Sequence, residues 1–193
     1  MNHTGTHTLE TERLILRRYR PEDAPAMFRN WASDAEVTRY LTWPTHASED
    51  VTRSIISEWV ARYDQPDVYH WGLELKQTHE VIGDIAVVRI AEPVLEAELG
   101  WCMGRAWWGR GLMPEAARAV LRWLFIEAGF NRVCAIHDIE NPKSGRVMQK
   151  IGMTFEGVSR QGGRNNRGIV DMARYAILRG EYDSGAAGKG EKR

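Results

Sequence analysis

The chain has 193 residues, 43% of them hydrophobic, which suits one well-cored domain and is short for two. Its 26 Lys and Arg balance 26 Asp and Glu, so net charge gives no general attraction to nucleic acid or anionic lipid, and any polyanion must be met locally. The opening MNHTGTHTLETE has neither the apolar core nor the small-residue cleavage site of a secretory signal, and no apolar run approaches the ~20 residues of a membrane span; a cytoplasmic protein is expected.

Residues 13–19, RLILRRY, read as a strand. Pro21, Glu22 and Asp23 then open a helix to about Trp31, because proline presets the backbone angle and acids favour the positive helix end. EVTRYLTWPTH is irregular. A helix over 48–63 follows, capped by Ser48, with Val51, Ile55, Ile56, Trp59 and Val60 at helical spacing. YHWGLELK (69–76) and the β-branched EVIGDIAVVRI (80–90) form a hairpin about a turn near Thr78. Over 94–103, Glu96, Glu98, Gly100 and Cys102 share one strand face, opposite Leu95, Ala97, Leu99, Trp101 and Met103.

Beyond RAWWGRGLMPEA, residues Ala117, Val120, Leu121, Leu124 and Ala128 trace the stripe of the clearest helix, which Gly129 stops. NRVCAIHD (131–138) is a strand, Asn141-Pro142 opens a short helix that ends at Gly152, and 153–160 and 169–178 are the last strands. Between these two lies SRQGGRNNRG, a basic loop bearing Arg160, Arg164 and Arg167. SGAAGKGEKR has the composition of a disordered tail, so one domain is expected over 1–182 and a tail over 183–193. Strands outnumber helices in a mixed order, which implies an α/β or α+β sheet domain.

RAWWGRGLMPEA poses the chemical question. A glycine-rich turn feeding a helix leaves unpaired N–H groups pointing outward at the positive helix end, so its default ligand is a phosphate or pyrophosphate. Gly109 and Gly111 permit close approach, Arg105 and Arg110 can add charge-assisted bonds, and Pro114 in the first turn sacrifices no needed N–H. A Walker loop needs Gly-Lys-Ser/Thr, and the dinucleotide fingerprint needs a glycine where Pro114 stands, so neither ATP nor NAD chemistry is supported. Taken alone, the loop fits an ordinary strand-to-helix turn equally well. The two cysteines, Cys102 and Cys134, lie in strand-like segments and read as buried thiols rather than a disulfide or zinc site; no metal is expected.

An acid-bearing strand, WWGRGLMPEA, a strand ending near His137, and Asn-Pro-Lys-Ser ahead of KIGMTFEG together resemble the GNAT superfamily of N-acetyltransferases. Within it they look most like the branch of ribosomal-protein N-terminal acetyltransferases. The resemblance runs from the TERLILRRYRPEDA opening at Thr11 to about Tyr182. The family's cofactor signature, Gln/Arg-x-x-Gly-x-Gly/Ala, falls on Trp108, Gly109, Arg110, Gly111, Leu112 and Met113, with Trp108 and Met113 departing from it. The resemblance implies a mixed, mostly antiparallel sheet flanked by helices. Two central strands, 94–103 and 131–138, would splay to hold the pantetheine arm of acetyl-CoA. The backbone of Trp101, Cys102 and Met103 would pair with that arm as with an added strand.

Acetyl transfer to an amine needs a neutral nucleophile, stabilisation of the oxygen that turns negative, and a proton or hydrogen bond for the departing thiolate. Glu98 is the leading base, since acids on this strand serve relatives so; Glu96 is its rival and His137 a third choice. Either acid could instead be one half of an arginine pair. By resemblance Ser144 lies near the cofactor sulfur as proton donor, Asn141 holds the pantetheine or the substrate, and Arg146 reaches a CoA phosphate. Asn141 before Pro142 is also a good helix cap. Trp31, Tyr40, Trp43 and Trp71 are candidates for the acceptor cleft, with core packing as the alternative.

The leading expectation is direct acetyl transfer to the N-terminal amine of a protein such as a ribosomal protein. A small amine (amino acid, polyamine, antibiotic) is the second acceptor class, and a non-catalytic acyl-CoA-binding module the reading from another class. No nucleic acid or membrane partner is required; relatives are often dimers, so a homodimer is a candidate assembly that the sequence does not fix.

Overall fold

The computed structural model describes residues 3–190, with side chains through Ser184. Its sheet has eight strands in the order β1 (Leu9–Glu10), β2 (Leu14–Arg17), β3 (His70–Leu75), β4 (Glu80–Ala91), β5 (Glu96–Met103), β6 (Arg132–Asp138), β8 (Gly168–Leu178), β7 (Thr154–Asn165). Neighbours are antiparallel except β5 and β6, which run parallel. A parallel pair needs a crossover, and α4 (Leu112–Ile126) supplies it.

The α4 stripe read from the sequence is buried at Ala117, Val120, Leu121, Leu124 and Ala128. It packs with α5 (Pro142–Lys150) on a core that includes Leu99, Ile85, Phe125 and Phe130. A second apolar cluster on Cys102 and Val81 joins them to Tyr19, Met27, Trp31 and Ile56, from α1 (Ala24–Met27), α3 (Glu49–Ala61) and the segments around them.

The feature that positions the site is where β5 and β6 stop pairing. Their register runs from Glu96↔Arg132 to Leu99↔Ala135 and ends there. Beyond it β5 stays with β4 as far as Met103↔Gly83, while β6 stays with β8 as far as Asp138↔Met172. A bulge in β4 between Val87 and Arg89 lies opposite this point, and a bulge adds local twist, which helps turn β5 away. The expected splay is therefore present, with two backbone edges left facing a gap.

Several boundaries differ from the sequence reading. The helix expected over 21–31 is a composite: a tight turn Pro21–Asp23, α1, and a widened turn Phe28–Ala32 closed by Ser33 N–H donating to the Phe28 carbonyl. β5 begins at Glu96 rather than 94, because Glu92–Val94 make a helical turn and Leu95 adopts φ +51°. A short α2 (Ala35–Thr38), capped by the Asp34 carboxylate, interrupts the irregular stretch. The basic loop is mostly strand: β7 continues to Asn165, with an irregularity between Ser159 and Gly163, and turns at once into β8. A helix, α6 (Arg179–Gly190), occupies much of the expected tail over 183–193, with Glu181 accepting from Leu178 N–H at its start; residues 191–193 lie outside the described residues. Among the described residues no helix is long and apolar enough to cross a membrane.

Candidate active site

Two cavities meet at the splay. One, of about 520 Å³, runs between β5, the 107–114 segment and the start of α5; the other, of about 570 Å³, lies over the face of β3, β4 and β5 that carries His70, Asp84 and Glu98. Tyr40, Leu41, Trp101, Cys102, Asn141 and Ser144 line both, so they form the passage between them.

The first cavity is built by the motif that raised the question. Gly109 and Gly111 have φ of +75° and +76°, a region costly for residues with a Cβ, and Gly111 caps α4 without any side-chain bond. The first N–H groups of α4 thus stay available at the positive helix end, as an anion site requires. Glu115 braces the loop from behind: it accepts from Thr11 Oγ1 at 2.6 Å and from Arg13 N–H at 2.9 Å, while Arg13 Nη1 donates to the Arg110 carbonyl at 3.0 Å. The Trp108 indole donates to the Met103 carbonyl at 2.6 Å, and Lys143 sets its ammonium 3.8 Å from the Trp108 ring centroid, joining the loop to α5. Trp108, Gly109, Gly111, Leu112, Met113 and Arg146 line this cavity; Arg110 is exposed and does not.

At the passage, Asn141 Oδ1 accepts from Ser144 N–H at 3.4 Å, so asparagine caps α5 as its sequence context suggested. The Ser144 hydroxyl has no hydrogen bond among the described residues, and neither has the Asn141 amide N–H₂. His137, at the end of β6, donates from Nδ1 to the Asp138 carbonyl at 2.7 Å; its Nε2 is buried and unpartnered. A side chain at position 145 would meet that nitrogen at 2.8 Å, so Gly145 is required by this ring position.

The two acids of β5 differ. Glu96 is held by Arg89 at 2.7 Å and Arg132 at 2.5 Å; burial alone would raise its pKa, but the two arginines outweigh it and hold the carboxyl below its ordinary value. Such a residue is a poor proton acceptor, and it does not line the cavities. Glu98 lines the second cavity; Arg89 grips its Oε2 at 3.0 and 3.1 Å, and Oε1 has no bond among the described residues. Both cysteines are free and buried, and burial pushes the Cys134 thiol up to about 12.

The acceptor-cleft tryptophans divide. Tyr40 and Trp43 line the second cavity, but Trp31 and Trp71 are fully buried core residues, with the Trp71 indole donating to the His7 carbonyl. The sequence offers no sign of this, because a large aromatic looks alike in core and cleft. Trp59, read as part of a helix stripe, is the wall that takes their place, and it packs 4.3 Å from the His70 ring. Asp84 and His70, paired at 3.2 Å on the same floor, were not singled out by the sequence reading; a lone acid inside EVIGDIAVV is the signal that could have found Asp84.

The tip of the β7–β8 hairpin fixes the roof. Asn166 donates from its backbone to the Leu41 carbonyl, and from Nδ2 to the Thr38 and Trp43 carbonyls at 2.8 and 2.7 Å. Asp138 anchors the tip through Asn165 and through both oxygens to Arg167, an exposed arginine tied back to β6 by this pair. Burial opposes ionisation of Asp138, but Asn165, the Glu140 N–H and Arg167 outweigh it and lower its pKa. The stabilisation is therefore present above the ordinary carboxylate pKa of about 3.9 and is lost as pH falls through the lower folded value. Asp138→Asn should lower Tm at neutral pH, and the gap to wild type should close below about pH 4, as thermal melts across pH will report.

The chain agrees with known proteins over nearly all this architecture. A profile described as "Acetyltransferase (GNAT) domain" matches residues 13–154. An uncharacterised N-acetyltransferase of Bacillus subtilis, YoaA, is 33% identical over 171 residues, covering 89% of this chain and 96% of that protein. The [ribosomal protein uS5]-alanine N-acetyltransferase of Escherichia coli is 26% identical over 160 residues, 79% of this chain and 80% of its own. The crystal structure of the microcin C7 self-immunity acetyltransferase MccE, in complex with acetyl-CoA and AMP, superposes with a TM-score of 0.78 at 16% identity, over 87% of this chain and 93% of that one. Splayed central strands, a left-handed glycine loop opening α4, and this agreement across the chain make it a member of the GNAT family of acetyltransferases.

Proposed function

We propose that the protein moves the acetyl group of acetyl-CoA directly to a primary amine, foremost the N-terminal α-amino group of a protein such as a ribosomal protein. The observation that carries this reading is the passage: the unpaired edge of β5 and the free Ser144 hydroxyl lie where the two cavities meet, and the carboxylate of Glu98 lines the second cavity that opens from it. The residues fit the donor substrate. The positive end of α4, with Gly109 and Gly111 left-handed, suits a pyrophosphate, Arg146 lies beside that groove, and the open edge at Trp101, Cys102 and Met103 suits an extended amide-bearing arm. When bound, acetyl-CoA supplies an activated acyl thioester.

The remaining work falls to this chain's side chains. Glu98, steadied through Oε2 by Arg89, takes the amine proton at Oε1, directly or through one water. An α-amino group has a reference pKa of about 7.7 to 8.0, so a base adds nucleophile at neutral pH. The Asn141 amide orients the acyl arm or the acceptor, and the Ser144 hydroxyl donates to the departing sulfur. Tyr40 and Trp43 give the acceptor an aromatic wall. The relative acting on ribosomal protein uS5 supports the choice of acceptor.

Calorimetric titration of acetyl-CoA and CoA, followed by thiol release against N-terminal peptides and small amines, tests the reading. Binding with release on one amine class supports it. Binding with no release on any amine leaves the acyl-CoA-binding module in its place, and no binding rejects both.

A further inference from the structure

The five acids in the buried class, Asp23, Glu74, Glu96, Glu98 and Asp138, each sit on an arginine. Asp84 does not. Its side chain is 14% exposed, its Oδ2 is 3.2 Å from His70 Nε2, and its Oδ1 accepts from the Cys102 thiol at 3.1 Å; no lysine or arginine lies within 4 Å among the described residues. The thiol is held protonated by burial first and by the Asp84 charge second, so it offers a donor and no countercharge. A largely shielded carboxylate that faces a cavity with no arginine or lysine of its own is a place for a ligand's positive charge.

Position makes the idea specific. Asp84 is the cross-strand partner of Cys102, and Ala86 that of Gly100. Gly100 therefore lies two residues from Glu98 in one direction and two from Cys102, beside Asp84, in the other. Between the acids the floor is Ala86 and Gly100, with the Val88 methyls lying over Gly100, so an aliphatic chain there packs on an apolar surface. His137, 9% exposed, lines the same cavity with Nε2 unpartnered.

Building on the acetyltransferase reading above, we infer that Asp84 receives a second positive charge on the acceptor. Glu98 and Cys102, beside Asp84, are four strand residues or about 13 Å apart, so with each carboxylate about 3 Å from its nitrogen the preferred substrates carry another ammonium or guanidinium group roughly 7 Å from the acetylated nitrogen. That chemistry occurs in a free diamine and in a chain N-terminus followed by a basic side chain. Trp59 and Trp43 on the cavity wall add faces suited to a cation.

The test compares acceptors matched in shape and different in charge: cadaverine against pentylamine, and alanyl-lysine amide against alanyl-norleucine amide, by thiol release from acetyl-CoA. Wild type should favour the dication in at least one pair by about tenfold or more in kcat/KM, mainly through KM. The pair that shows the preference identifies the source. Asp84→Asn should bring that ratio towards one and Asp84→Glu should restore part of it. A ratio near one in both pairs for wild type overturns the inference while leaving the acetyltransferase reading intact, whereas no release with any amine overturns that reading. If Asp84→Asn does not fold, the wild-type ratio decides, and its decline with added salt supports an ionic origin.

Discussion

Ser144→Ala should lower kcat by about 10²-fold at neutral pH while acetyl-CoA affinity stays within about twofold. The hydroxyl has no hydrogen bond among the described residues, so its removal breaks no structural contact there. Alanine is the better helix former, and the Asn141 cap bonds the backbone N–H of residue 144, which the substitution keeps. On the proposed mechanism, what is lost is the donor beside the leaving sulfur. A thiol with a reference pKa of about 8.5 leaves unaided as thiolate once the pH exceeds that value, so the deficit should narrow in alkaline buffer. Stopped-flow thiol release across pH measures this; equal turnover of variant and wild type removes serine from the mechanism.

Gly111→Asp should raise the Kd for acetyl-CoA by about tenfold or more and leave kcat at saturation much less affected. Aspartate tolerates the left-handed region better than most residues, and a Cβ there meets nothing closer than Arg13 Nη2 at 3.7 Å, so the variant should fold. Its carboxylate then sits at the positive end of α4 and competes for the anion site from within. Gly111→Ala separates the causes, since it brings backbone strain of about 1–2 kcal/mol without charge. Calorimetry at two salt concentrations distinguishes them further: screening should shrink the aspartate penalty and leave the alanine one unchanged.

Much of this molecule was legible because its signals are local. The α4 stripe, the Ser48 and Asn141 caps, the 69–90 hairpin and the glycine pair before α4 each follow from a few consecutive residues, and the structure contains all of them. Reading failed where distant segments decide. Trp31 and Trp71 lie in the core while Trp43 and Trp59 face a cavity, a division set by which strands and helices pack together. Glu96 and Glu98 share one strand face by the same alternation, yet Arg132 and Arg89 divide between them differently, leaving one neutralised on both oxygens and the other with one oxygen free.

By itself the sequence determined the main helices and strands and the place of the glycine turn before α4, since periodicity, capping and glycine geometry act over a single turn or strand. Only the tertiary structure decided where β5 leaves β6, how Asp138 and Asn166 pin the roof over the second cavity, and that Asp84 stands largely shielded without an arginine. Those facts are pairings between residues tens of positions apart, and a charge is satisfied or left open by what the fold brings beside it.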